Sequence, residues 1–205
     1  TVDGWLCAGD VVGYGPHPGF CVDAMRDREI TTVLGNHDRA VVTNSDFSFN
    51  SSARDGVVYA RQTLTVNQQS WLSGRSTALS SFDGRVAVVH GHPNDPDRYV
   101  YPALFSGDDI GAARETVPGA EHCDVLICGH THVQAYEQFD EGVVLNPGSV
   151  GQPRDSDARA AYALLDLETL SVENRRVDYD IEAVVKAVEE SGLPESSGTR
   201  LRKGR

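Results

Sequence analysis

The sequence predicts an α/β fold of the sandwich kind, with two packed mixed β-sheets flanked by helices in one domain. Three observations predict it. Short aliphatic runs closed by glycine recur along the chain, helix-period stretches lie between several of them, and two pairs of alternating runs read as antiparallel hairpins. At 205 residues the chain can bury one sizeable core, whereas two full domains would be cramped.

Taken in order, "GWLCAGDVVGYGP" runs apolar and then delivers Gly9 and Asp10. "PGFCVDAMRDR" follows as a short amphipathic helix presenting Phe20, Val22 and Met25. "ITTVLGNHDRAV" is a second strand that ends in Gly35, Asn36, His37 and Asp38. "SSARDGVVYARQTL" reads as a helix with Ser51 and Ser52 as cap candidates. "TALSSFDGRVAVVH" places an Asp83-Gly84 turn between two alternating runs, a hairpin whose second arm ends in "HGHP" at His90 to Pro93. "DDIGAARETV" reads as a helix leading into the strand "DVLICG", which ends in His130-Thr131-His132. "GVVLNPGSVGQPRD" is a further strand, "AAYALLDLETLSVENRRVDY" a second hairpin, and "DIEAVVKAVEESGLP" a helix capped by Asp180 and stopped by Gly192 and Pro194. The single domain is expected over residues 1–195, with residues 196–205 a basic, disordered tail.

Composition narrows the function. A net charge of −12 disfavours a general nucleic-acid binder held by phosphate contacts. No apolar run approaches the ~20 residues that span a bilayer, and no signal-peptide core is present, so a cytoplasmic protein without membrane partners is expected. Lys186 and Lys203 are the only lysines, and an acidic, lysine-poor surface suits a halophilic, high-salt cytoplasm. Cys7, Cys21, Cys123 and Cys128 lack metal-ribbon or redox spacing, and Cys7 and Cys128 sit in apolar runs as small hydrophobes. The cations of "TRLRKGR" read as a solvated tail in preference to a binding arm.

Packing does not call for His-Thr-His at the end of a buried strand. In open α/β sheets ligands bind beyond the carboxyl ends of the strands. Strand ends carrying Asp10, Asn36, His90 and the pair His130 and His132 can therefore converge on one metal-binding edge. A lone aspartate after glycine is an ordinary turn residue, but this many ligand types in matching positions is not an ordinary coincidence.

"GDVVG", "GNHD", "VHGHP" and "GHTH" together resemble the ordered motifs of the calcineurin-like metallophosphoesterase superfamily. "GDVVGYGPHP" and "NPGSVGQPRD" further resemble its prokaryotic branch of small phosphodiesterases of the YfcE type, and the likeness runs from Gly9 to Asp166. The resemblance implies a sandwich with a two-metal site at its strand ends. Asp10 would bridge both metals, Asn36, His90 and His130 would complete one shell, and His132 would serve the other. His37 would face the leaving group as general acid, with Asp38 behind it fixing its orientation and protonation. Arg154 is a candidate phosphate clamp, an ion pair with Asp155 or Asp157 being the alternative, and His92 a residue of the substrate pocket.

The chemistry suits these residue types. Two divalent ions roughly 4 Å apart neutralise a phosphoester anion and lower the pKa of bound water to about 7. Carboxylate, amide and imidazole ligands favour manganese, with iron, zinc or nickel as alternatives, and the lack of thiolates speaks against a structural zinc. The superfamily also opens with an Asp-x-His motif that is missing upstream of Asp10, where only nine residues stand. The chain is therefore expected to begin partway through a longer enzyme, lacking its first strand and helix. Of the parent's two metal sites, one well-formed site is expected here.

The leading expectation is a metal-dependent phosphodiesterase acting on a small-molecule or nucleotide phosphoester. A phosphomonoesterase of the protein-phosphatase or dinucleoside-polyphosphate-cleaving kind has the same ligands, and a non-catalytic scaffold on the same fold is the third reading. "RYVYPALF", Arg98 to Phe105, could stack on a base or cap the cleft, although packing of a long loop is the preferred reading.

Overall fold

Each interior strand of the main sheet buries both of its faces, and the layers follow from that. In the computed structural model, which describes residues 2–45 and 49–205, β3 (Ala78–Ser81), β4 (Val86–Val89), β5 (Val125–Ile127), β6 (Ala135–Phe139) and β7 (Gly142–Asn146) form one mixed sheet. Its order is β3-β4-β5-β7-β6, with β4, β5 and β7 parallel and the two outer strands antiparallel to their neighbours. Period-two alternation divides the side chains. Val86, Val88, Val125, Ile127, Val143 and Leu145 face one layer, while Ala87, Val89, Leu126 and Val144 face the other.

The second of these faces is covered by α5 (Gly107–Thr116) through Ile110 and Ala113. The first meets two smaller sheets. One is the parallel pair β1 (Leu6–Cys7) and β2 (Thr31–Thr32), and the other is the hairpin β8 (Ala160–Asp166) and β9 (Ser171–Val177). The expected sandwich of sheets flanked by helices is present, its second layer divided between these two units. Both hairpins read from the sequence form, and the first turns through Phe82, Asp83 and Gly84, all at positive φ.

A separate helical cluster packs on the segment after Asp10. It comprises α1 (Pro18–Asp27), α2 (Asn36–Thr43), α3 (Ser51–Thr63) and α4 (Val66–Ser73), gathered around Val12, Val22, Val41, Val57 and Leu72. α3 is capped by Asn50, whose side chain accepts from the Ala53 N–H, in place of the expected serines. α4 opens on a reciprocal pair in which Thr65 Oγ1 accepts from Gln68 N and Gln68 Oε1 from Thr65 N. None of the helices among the described residues is long and apolar enough to cross a membrane.

The carboxyl-terminal segment corrects the expected disordered tail. After α6 (Ile181–Glu190), whose cap Asp180 accepts from Ala183 N as expected, the chain forms α7 (Glu195–Thr199) and a 3-10 turn over Arg200–Lys203. Leu201 is buried, the Arg202 guanidinium pairs with Glu182, and the Gly204 carbonyl accepts from Ser156 N. The cations suggested a solvated arm, but one leucine and a nearby acidic helix face suffice to dock it.

α3 approaches the segment after Asp10 backbone to backbone. Replacing a helical glycine by alanine ordinarily stabilises by roughly 0.5–1 kcal/mol. At Gly56 the added Cβ would stand 2.1 Å from the Gly13 carbonyl oxygen, so the helix would have to retreat. Gly56→Ala is therefore expected to destabilise, on the order of 1–3 kcal/mol as in overpacked interiors. A lowered urea midpoint would bear this out, and a raised one would contradict the close packing.

Candidate metal centre

Four acceptor atoms converge at the carboxyl ends of β1, β2, β4 and β5. His90 Nε2 lies 3.0 Å from Asn36 Oδ1, 3.1 Å from His130 Nδ1 and 3.4 Å from Asp10 Oδ2. Their tautomers follow from their outer partners, because a backbone carbonyl can only accept. His90 Nδ1–H donates to the Ala8 carbonyl at 2.7 Å, which leaves the lone pair on Nε2. His130 Nε2–H donates to the Asp97 carbonyl at 3.0 Å, which leaves the lone pair on Nδ1. With His90 neutral, the cluster thus consists of a carboxylate oxygen, an amide oxygen and two imidazole lone pairs, with no donor among them. Among the described residues, Asp10 Oδ2 is buried without a hydrogen-bond partner. Buried polar groups that cannot satisfy one another call for a cation. Asp10, His90 and His130 also form a group whose ligand atoms all lie within 4.8 Å of one another, so the residues present fit a divalent metal.

Local backbone geometry aims these side chains. Asp10, His130 and His132 all adopt left-handed φ values of 55°, 64° and 60°, unusual for residues with a Cβ. Asn146, fully buried at the end of β7, holds the turn that carries both histidines. Its Nδ2 donates to the Gly129 carbonyl at 2.7 Å and to Thr131 Oγ1 at 2.9 Å. His132 Nδ1–H donates to the Gln152 carbonyl at 2.7 Å, so its Nε2 is the free lone pair. His132 stands outside the compact group, although its ring is close enough to act electrostatically on Asp10. Asp10 Oδ1 accepts from the His37 backbone N–H at 2.9 Å, and a Cβ on Gly35 would sit 2.2 Å from that oxygen. Only glycine permits this contact between the "GD" and "GNHD" segments.

Around the cluster, His37 is buried with its ring stacked on Tyr14, centroids 4.0 Å apart, and tilted against Phe49 at 4.5 Å. Tyr14 also meets His132 edge-on at 5.3 Å, and its hydroxyl accepts from Arg154 Nη2 at 3.2 Å. Gln152 Oε1 accepts from Arg154 Nε and Nη2, which orients the guanidinium towards Tyr14. The expected alternative for Arg154, a pair with Asp155 or Asp157, is not formed, since those carboxylates pair with Arg176 and Arg159. Tyr14 was not among the sequence candidates. Its only signal was its place inside "GDVVGYGP".

Two expected roles are corrected. The Asp38 carboxylate is not directed at the His37 ring. It accepts from Val12 N at 3.0 Å and Gly35 N at 3.1 Å, capping α2 and tying it to the segment after Asp10. His92, expected in the substrate pocket, is not among the residues that line the cavity beside Asn36 and His130. It is buried, with Nε2 3.1 Å from Asp109 Oδ1 and Nδ1 accepting from Asn94 N, so it fastens the "HGHP" turn to the start of α5.

Charges in the site follow from burial and from one another. Burial raises the Asp10 pKa, but His90 and His37 outweigh it and hold the carboxyl below its usual range. Burial works against a charged His90, yet Asp10 lifts it above the ordinary histidine value. His130 is pushed down to about 4 by burial and by His90, and His132 to about 3 by burial and then Arg154. His37 is lowered by burial, with Asp10 opposing. Asp38 is raised by burial and by Asp10, against its backbone donors.

Residues 1–170 match the family model of the calcineurin-like phosphoesterase superfamily domain. The solved structure of a metallophosphoesterase from Sphaerobacter thermophilus aligns over all of this chain and 89% of that one, with TM-score 0.83 and 32% identity. An uncharacterised protein of Methanocaldococcus jannaschii is 28% identical over 220 residues, covering 98% of this chain and 86% of that protein. Phosphodiesterase YfcE of Escherichia coli is 43% identical over 58 residues, which are 28% of this chain and 31% of that protein.

Metal-free protein should show the split in imidazole charge directly. His130 and His132 stay neutral at pH 5.5, while His90 remains protonated above its ordinary value of about 6.5. By linkage, the two depressed histidines contribute stability that is present above pH ~6.5 and lost as pH falls towards their folded values. His90 does the reverse, contributing below pH ~6.5 and losing its contribution as pH rises through its folded value. Histidine 15N chemical shifts recorded across pH 4–8 in chelator-treated protein would check this. Three midpoints clustered near 6.5 would contradict the buried arrangement.

Proposed function

The chain belongs to the calcineurin-like phosphoesterase superfamily, hydrolases of ester bonds that use divalent metals, and from that premise we propose that it cleaves phosphodiesters. In this reading Asp10, Asn36, His90 and His130 hold one divalent ion. Asp10 and His132 contribute to a second, which needs ligands beyond these two. Manganese is the proposed ion, since mixed oxygen and imidazole donors suit it. The observation that carries the proposal is the buried cluster of acceptors without a donor around Asp10 Oδ2. When bound, the ions supply positive charge against the phosphate anion and acidify water at the site.

The chain's own residues account for the remaining chemistry. His37 gives a proton to the departing alkoxide, a role worth 10²–10⁴-fold in typical general acid catalysis. Its ring is held by stacking between Tyr14 and Phe49 and not by a carboxylate. Burial makes it a ready donor, and the negative charge of an incoming phosphoester raises its pKa towards the protonated form. Arg154, steadied by Gln152 and Tyr14, presents a guanidinium whose fork matches phosphate oxygens. The name of the YfcE relative, a phosphodiesterase, supports the diester preference.

Chelator-treated protein should regain turnover of bis-p-nitrophenyl phosphate when manganese is added, and should hydrolyse it faster than p-nitrophenyl phosphate. His37→Ala is expected to lower kcat by about 10²–10⁴-fold with manganese content unchanged. Undiminished turnover would remove His37 from the reaction, and faster hydrolysis of the monoester would overturn the diester reading.

A further inference from the structure

We propose that Tyr99 and Tyr101 form a stacking platform for a nucleobase carried by the phosphoester substrate. The inference rests on the phosphoesterase reading and names the substrate class of that site. The Tyr99 ring lies on the ring of the ligand His130, with centroids 3.8 Å apart and planes at 29°. Tyr101 continues the row, 6.0 Å from Tyr99 at 14°. At that spacing the two tyrosines are offset and much of their ring area stays open, Tyr99 being 45% and Tyr101 48% exposed.

The segment "RYVYPALF" divides cleanly. Val100 and Phe105 are buried in the core beneath α5, and they satisfy the packing reading preferred from the sequence. Tyr99 and Tyr101 flank Val100 and do not share its burial, so packing does not explain them. A cavity of about 470 Å³ is lined by Asn36 and His130 from the ligand cluster and by Tyr99, Phe49, Arg39 and Asp97. A phosphate held at the ligand cluster therefore puts its substituent in the same cavity as Tyr99. Asp97 neutralises Arg39, whose Nη2 lies 2.6 Å from both carboxylate oxygens. Among the described residues that wall offers no spare positive charge for a second phosphate, and it suits an uncharged planar group. Its volume falls within the ordinary range for small-ligand sites.

AMP and ribose 5-phosphate carry the same phosphate on the same sugar and differ only in the base. Calorimetry on the manganese-loaded protein is expected to find AMP tighter by about tenfold or more, the scale of one base–aromatic stack. Tyr99→Leu and Tyr101→Leu should each shrink that gap, and Tyr99→Phe should keep it. Equal affinities in the parent, or no measurable AMP binding, would overturn the platform. A Tyr99→Leu variant that weakens both ligands by the same factor would make Tyr99 a support for His130 alone. Tyr101→Leu guards against that ambiguity, and a parent-like preference for AMP in it would exclude Tyr101 from the platform. Preference for AMP without turnover of bis-p-nitrophenyl phosphate keeps the platform and sinks the hydrolase reading. Turnover without base preference does the opposite.

Discussion

The structure turns on one electrostatic constraint: lone pairs from four chain segments are pressed together with nothing of their own to bind. A carboxylate at a left-handed turn and two imidazoles locked by outer carbonyls cannot relieve one another by exchanging protons freely. Ala8 fixes the His90 tautomer, Asp97 that of His130 and Gln152 that of His132. For His90 and His130 the carbonyl binds the ring nitrogen that is not in the cluster, so each of these rings turns its lone pair inward. In metal-free protein the raised His90 pKa makes a proton the available counter-charge to Asp10. A divalent ion would supply more charge to the same group of acceptors.

The scaffold can bear that strain because the main sheet is covered on both faces. With Val, Leu and Ile facing both layers, the ends of the strands are where polar side chains can gather without disturbing the core. Asn146 shows the linkage well. It ends β7, lies wholly buried, and uses its amide to hold the turn from which His130 and His132 project. Asp38 does the same on the other flank, binding the backbone of Val12 and Gly35 and so setting the "GD" and "GNHD" segments against each other.

What the sequence made legible were residue types out of place. An aspartate, an asparagine and three imidazoles at the ends of buried runs have no packing purpose, and of these Asp10, Asn36, His90 and His130 lie together while His132 stands outside the compact group. Hairpins and α6 were readable because their turn and cap residues are local. The misread roles of Asp38 and His92 share a different cause, partners remote in sequence. Asp38 and Val12 are 26 residues apart, and His92 and Asp109 are 17 apart, so the long-range partners that make both side chains structural cannot be seen in the neighbouring sequence. α2 begins inside "GNHD", where ligand chemistry masked a helix start. The carboxyl-terminal turn was hidden by its own cations, because a charged segment with one leucine looks solvated until its acidic neighbour is in place.

Tyr14 connects the residues proposed to act on phosphate without holding metal. Its ring touches both His37 and His132, and its hydroxyl receives Arg154. Burial and the Asp10 charge raise its pKa, so the phenol stays neutral and can accept from the guanidinium without cancelling its charge. His37, His132 and Arg154 are thereby fixed relative to one another through a single aromatic side chain. A planar, uncharged spacer suits that place better than a carboxylate would. An acid there would pair with Arg154 and compete with the very anion the guanidinium is placed to meet.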